Sequence, residues 1–309
     1  MTEMHDQQAM VGLALEHAQR GEHAEAYDLL RRAAEAGSAE AMFVTGVLLS
    51  DSGHRDEARQ WFSAAAQHGE NRAMFNLGVL EAEAGNAEAS ESWYRRAAEA
   101  GNADAAFNLG NDALRDGDRV EARRLLQQAA EAGQQGAVTN LANLLVEEGD
   151  LDAASLWLDR AAEAGDVTAM FNLALVAGRR GDTGKATDWL WKAAGAGYVP
   201  AMTRLARVDL AAGRATQAEY WFQKAAEAGD PGAAFDLGIS QAERGDYAAA
   251  ETSMRTAAEH GDTRAMNNLG VLSEGRKDPA GAQEWYRKAA ALGDQDATRN
   301  LARLTRGKA

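Results

Sequence analysis

Few residue types in this chain recur where they could do chemistry, and the clearest is asparagine. Asn76, Asn108, Asn140, Asn172, Asn268 and Asn300 stand 32 residues apart or at multiples of that spacing, with Arg204 and Asp236 at the two intervening places. Asn is a poor helix former, so packing alone gives no reason for it to recur on a helix. A ladder of side-chain amides can bond the backbone of an extended peptide, or it can bond the neighbouring repeat of its own chain; both readings fit the sequence. A second column runs from Leu15, Val47 and Val79 to Asn111 and Asn143. An apolar zone passing into a polar one suits a peptide with a hydrophobic segment, and ordinary helix packing explains the same residues. Trp191 falls where other repeats have Arg31, Ser63, Arg95, Gln127, Asp159, Gln223, Arg255 and Arg287. It reads as an exposed contact or as a ring lying flat on its own scaffold.

Signatures of catalysis are missing. There is no Cys, which removes disulfides, thiol nucleophiles and thiolate metal sites. Five of the six His (His5, His17, His23, His54 and His68) belong to the first quarter of the chain, but no two have the spacing that aims a pair at one metal from a helix. His68 and His260 read as last-turn residues of helices, where partial negative charge favours them. The carboxylates read as solvated helix faces, and the glycines lack the strand–loop–helix context of a phosphate loop. The expectation is a protein without cofactor or metal and without enzymatic activity of its own.

The elements that position these residues follow from a strict repeat. Ala9, Ala41, Ala73 and their equivalents to Ala297 recur every 32 residues. This spacing defines an extension at 1–8, nine complete repeats over 9–296 and a truncated capping helix at 297–309. One Gly recurs near the end of each repeat (Gly37, Gly69, Gly101) and another in the middle (Gly21, Gly53, Gly85). Each repeat therefore reads as two helices, as in 73–84 followed by Gly85 and then about 87–100 followed by Gly101, with glycine as the left-handed stop. Asp118, Asp150, Asp182 and Asp246 stand where second helices start, and Asn102, Asp166, Asp230 and Asp262 where first helices start. Asp118 and Glu121 have capping-box spacing. The ninth repeat has Lys277 in place of the middle glycine, and Gly275 predicts an earlier helix end and a longer connection over 275–278. Trp61, Trp93, Trp157, Trp189, Trp221 and Trp285 share one position and read as a repeated core residue. No segment shows the alternation of a strand, so the fold class is all-α.

The string AMFNLG at 73–78, with Gly85 and then WYRRAAEAG at 93–101, resembles a tetratricopeptide repeat crossed with a Sel1-like repeat. The resemblance covers essentially the whole chain and departs from the tetratricopeptide form in its shorter period. It implies an α-solenoid, a right-handed superhelix of antiparallel helix pairs with first helices lining the concave face, and adaptor work on peptides or partner proteins. In co-chaperone domains of that family, Lys and Asn on one first helix, Asn on the next and Lys and Arg on a third clamp a carboxylate. Asn143, Asn172 and Arg204 match the two Asn and the Arg. Thr139 and Pro200 replace both lysines, and Arg207, one turn from Arg204, is the cation available to compensate.

A formal charge of −15 disfavours nucleic acid as a ligand. The N-terminal decapeptide reads MTEMHDQQAM, without the basic start and apolar core of a signal peptide, and no apolar run is long enough to span a membrane. Only six of the 32 basic residues are Lys, as GC-rich bacterial coding favours. These readings lead to an expected cytoplasmic, bacterial scaffold that binds a peptide or protein partner, as a monomer. A structural homo-oligomer and a regulatory subunit of an enzyme complex are the alternatives.

Overall fold

The computed structural model describes residues 2–306, with side chains from residue 6 onward; the His5 side chain and the last three residues of the capping segment lie outside the described residues. Nineteen α-helices and no strand occur among the described residues. After α1 (Thr2–Gln19) the helices share one length, that of α2 (His23–Glu35), except α7 (Ala103–Asp116) and the terminal α19 (Gln295–Arg306). Residues 2–8, read from sequence as an extension, are the first turns of α1. The recurring Ala does not open its helix. In α3 (Ala39–Asp51) and α5 (Asn71–Glu83), Ala41 and Ala73 are the third residue, and both are completely buried.

The regular length has a local cause. At the end of α3 the Gly53 N–H bonds to the Ser50 carbonyl at 3.0 Å and the His54 N–H to Leu49 at 2.8 Å. That double closure requires a left-handed residue, and Gly53 has φ +82°. The same closure ends first and second helices alike, so the backbone period is half the sequence period. Lys277 occupies this place in the ninth repeat at φ +61°. Its helix α17 (Thr263–Gly275) ends at Gly275 as expected, but the connection is not lengthened. It spans 276–278 like the others, because Lys277 itself adopts the left-handed conformation, and Asp278 then caps α18 (Pro279–Ala291). Asp118 accepts from the Glu121 N–H at 3.0 Å, but the reciprocal arm of a capping box is absent: the Glu121 carboxylate bonds Arg124 at 2.7 Å.

Packing gathers the helices into two units, one ending at Trp157 and one beginning at Leu158. Within each, the two helices of a repeat pack together and the second helix packs on the next first helix. Small residues set the closeness of each pair. A methyl group on Gly78 would lie 2.7 Å from the ring of Tyr94 in α6 (Ala87–Glu99), and one on Gly46 would lie 2.6 Å from the Phe62 ring. Phe62, Leu126, Leu190, Phe222, Met254 and Tyr286, each half a repeat after such a small residue, are buried. This corrects the reading of the tryptophans: the repeated core residue is the one after the Trp column. Trp61, Trp93, Trp189 and Trp285 are only half-buried, with Arg96, Lys192 and Lys288 stacked over Trp93, Trp189 and Trp285; Trp221 alone of the described column is buried.

Candidate functional site

Residues at i, i+4, i+7 and i+11 of a helix share one face. In the first helices of the N-terminal unit that face reads Glu40, Val44, Val47 and Asp51 on α3, and Arg72, Asn76, Val79 and Glu83 on α5. On α7 it reads Asp104, Asn108, Asn111 and Arg115, and on α9 (Gln135–Glu147) Gly136, Asn140, Asn143 and Glu147. The asparagine ladder therefore lies on the first helices, as expected, and part of it is already used. Asn140 donates from Nδ2 to Oδ1 of Asn111 at 2.6 Å, tying adjacent repeats together. Asn108 is half-buried beside the Tyr94 hydroxyl, whose pKa burial pushes upward. Asn76 is half-buried and Asn143 is exposed. For Asn140 and Asn111 the inter-repeat reading is the one realised.

In the C-terminal unit Asn172 lies half-buried on α11 (Val167–Arg179), and Arg204 and Arg207 lie exposed on α13 (Val199–Ala211). Arg207 is not a spare cation: it donates from Nη2 to Oδ2 of Asp236, one repeat on, at 2.9 Å. Asn300 likewise bonds Asn267 at 2.9 Å. Arg204 has no ion-pair partner among the described residues, so its guanidinium is available in a way that Arg207's is not. Leu175, exposed on α11, continues the column of Leu15, Val47 and Val79.

Trp191 lies on α12 (Thr183–Gly195). Its ring packs edge-on against Trp221 with centroids 4.9 Å apart, while 49% of the residue stays exposed. It stands over the next second helix as Arg255 stands over Trp285. Tyr220, on α14 (Ala215–Glu227), also meets Trp221 edge-on at 5.0 Å and is 55% exposed. The sequence reading missed Tyr220. Its signal was present, since equivalent places hold mostly polar residues, Asp28, Gln60, Ser92, Arg124, Asp188, Thr252 and Glu284, with Leu156 as the apolar exception. The buried Trp221 N–H has no hydrogen-bond partner among the described residues.

The described histidines do not gather. His17 pairs with Glu22 at 2.6 Å, and His68 and His260 are C-cap residues, His260 with its ring nitrogen 2.9 Å from the Thr256 carbonyl. Among the described residues no three metal-binding side chains converge. No helix there is long and apolar enough to cross a membrane.

Comparison with known proteins places this architecture. The tetratricopeptide repeat model matches residues 43–105, 107–167 and 235–297, and a second tetratricopeptide model matches 7–32 and 167–190. The Sel1 repeat model matches 215–230. No curated protein matches the chain in sequence. A Sel1 repeat protein from Oxalobacter formigenes is similar in structure, with a TM-score of 0.70 and 25% identity over 96% of this chain and 94% of its own. So is c5321, a protective antigen of uropathogenic Escherichia coli with an SLR fold, with a TM-score of 0.68 and 28% identity over 97% of this chain and 72% of that one. The repeating helix pairs, their glycine closures and these matches establish that the chain belongs to the tetratricopeptide repeat family, and it is similar to Sel1 repeat proteins.

Proposed function

We propose that the protein is a binding scaffold whose first-helix face holds a peptide or a partner's tail, with Arg204 as the polar anchor. Repeats of this family are in general scaffolds for protein–protein interaction and typically non-catalytic. The observation that carries the finer reading is the state of Arg204: exposed on a first helix, outside any ion pair among the described residues, and one first helix away from Asn172. A guanidinium presents a planar fork of donors that matches a carboxylate, and Asn172 adds an amide donor. Arg207 serves instead by holding Asp236.

The test is selection from a peptide library displayed with free C-termini, repeated with the same peptides amidated. Enrichment that needs the free carboxylate and is lost in Arg204→Ala supports the proposal. Equal recovery of amidated peptides would overturn the carboxylate reading. A second reading, self-association through the half-exposed Trp191 and Tyr220, has its own support in those two rings. Light scattering on wild type and Trp191→Ser would reveal it.

A further inference from the structure

The net charge of the chain belongs to one part of it. The N-terminal unit, up to Trp157, holds 27 Asp and Glu against 12 Arg and no Lys, whereas the C-terminal unit holds 20 acidic and 20 basic residues. The whole formal excess of −15 therefore belongs to the N-terminal unit. The same unit leaves an apolar column open on its first helices: Leu15 is 42% exposed, and Val44, Val47 and Val79 are half-buried. Carboxylates border that column. Glu40 and Asp51 flank Val44 and Val47 on α3, Glu83, itself paired with Arg55 at 3.2 Å, follows Val79 on α5, and Asp104 stands on α7. The cations on this face are already engaged. Arg72 bonds Glu70 at 2.8 Å and stacks over Phe43, and Arg115 pairs with Asp112. Asp51 and Asp104 are exposed and have no ion pair among the described residues.

We propose that this face docks a basic amphipathic segment of a partner protein. Its apolar side chains would lie along Leu15, Val47 and Val79, and its Lys or Arg residues against Glu40, Asp51, Glu83 and Asp104. Apolar contact alone would accept any greasy segment; the uncompensated field of this unit selects the sign, repelling acidic segments and steering basic ones. A second copy of the chain does not fit that description, because its C-terminal unit is neutral and its N-terminal unit is equally negative. The inference rests on the first helices being the binding face, but it does not use Arg204.

The experiment is fluorescence anisotropy of the full chain with a labelled Leu/Lys amphipathic model peptide and with its Leu/Glu counterpart. Only the Leu/Lys peptide is expected to bind, losing about tenfold in affinity as salt shortens the Debye length from about 30 Å to below about 10 Å. Val47→Gln with Val79→Gln should weaken binding about tenfold and keep the salt slope. Asp51→Asn, Glu83→Gln and Asp104→Asn together should flatten that slope. Glu25→Gln, Glu57→Gln and Glu88→Gln, an equal charge change on exposed second-helix positions, should leave affinity nearly unchanged; circular dichroism verifies that every variant is folded. Equal binding of the Leu/Glu peptide, or equal loss in the second-helix control, would overturn the proposal. Failure of the Leu/Lys peptide to bind would overturn it too, while carboxylate-peptide binding that still depends on Arg204 would leave the proposed function standing.

Discussion

Replacing Gly270 by Ala sets two known effects against each other. Helix α17 would gain about 0.5–1 kcal/mol from losing an interior glycine. The new methyl group, however, would lie 2.6 Å from Cδ1 and 2.8 Å from Cζ of Tyr286, both well inside van der Waals contact. That ring cannot swing aside easily. Tyr286 is completely buried, its hydroxyl donates to Glu274 at 2.6 Å, and Glu274 is held in turn by Arg303 at 2.6 Å. Overpacking of this kind costs about 1–3 kcal/mol, so the net expectation is a loss of about 1–2 kcal/mol. Gly12, mid-helix in α1, is the control, since a methyl group there meets nothing within 4 Å. Gly12→Ala should raise the urea midpoint followed by circular dichroism, and Gly270→Ala should lower it and speed amide exchange in α17. Adding Tyr286→Leu recreates the pairing of Ala174 with Leu190 and should recover part of the loss. A Gly270→Ala midpoint as high as that of Gly12→Ala would refute the claim that close approach fixes the helix pairs.

Three further outcomes follow from the same geometry. Lys277→Gly removes a left-handed side chain that costs about 1–2 kcal/mol, partly offset by the greater freedom of the unfolded glycine, so the midpoint should rise modestly; a fall would mean the Lys277 side chain contributes more than its backbone costs. The hydrogen bond from Arg303 holds the Glu274 carboxyl below its usual value of 4.5, so its stabilisation is complete above that pH and is lost as pH falls through the folded-state pKa. The melting temperature of wild type should therefore fall toward that of Glu274→Gln on acidification below about pH 4.5; a difference independent of pH would contradict this. Deleting residues 105–136 removes one whole period and should leave a folded helical protein of lower midpoint, whereas complete loss of helicity would contradict nearest-neighbour stabilisation.

Local backbone rules made most of the fold legible. A glycine forced left-handed at Gly53 or Gly85, and an acceptor such as Asp182 or Asp246 at a helix start, leave marks that depend only on a few neighbouring residues. What stayed hidden depended on partners distant in sequence. Asn140 and Arg207 look like free donors until the adjacent repeat supplies Asn111 and Asp236. The tryptophans look like core because of their size, yet the smaller Leu190 or Met254 faces the small residue of the first helix while Trp189 lies half out, covered by Lys192. Lys277 shows the limit from the other side: the composition rule asks for glycine, and the closing bonds of α17 form without it.

The central claim is that the first-helix face is where a partner is held. Its most direct measurement is titration calorimetry of a selected free-carboxylate peptide against wild type and Arg204→Ala at low and moderate salt. Loss of a charge-assisted hydrogen bond predicts a decrease of about 1.5–3 kcal/mol, tenfold or more in affinity, with a shallower salt dependence and an unchanged melting temperature. Equal affinities in the two proteins at matched melting temperatures would contradict the account.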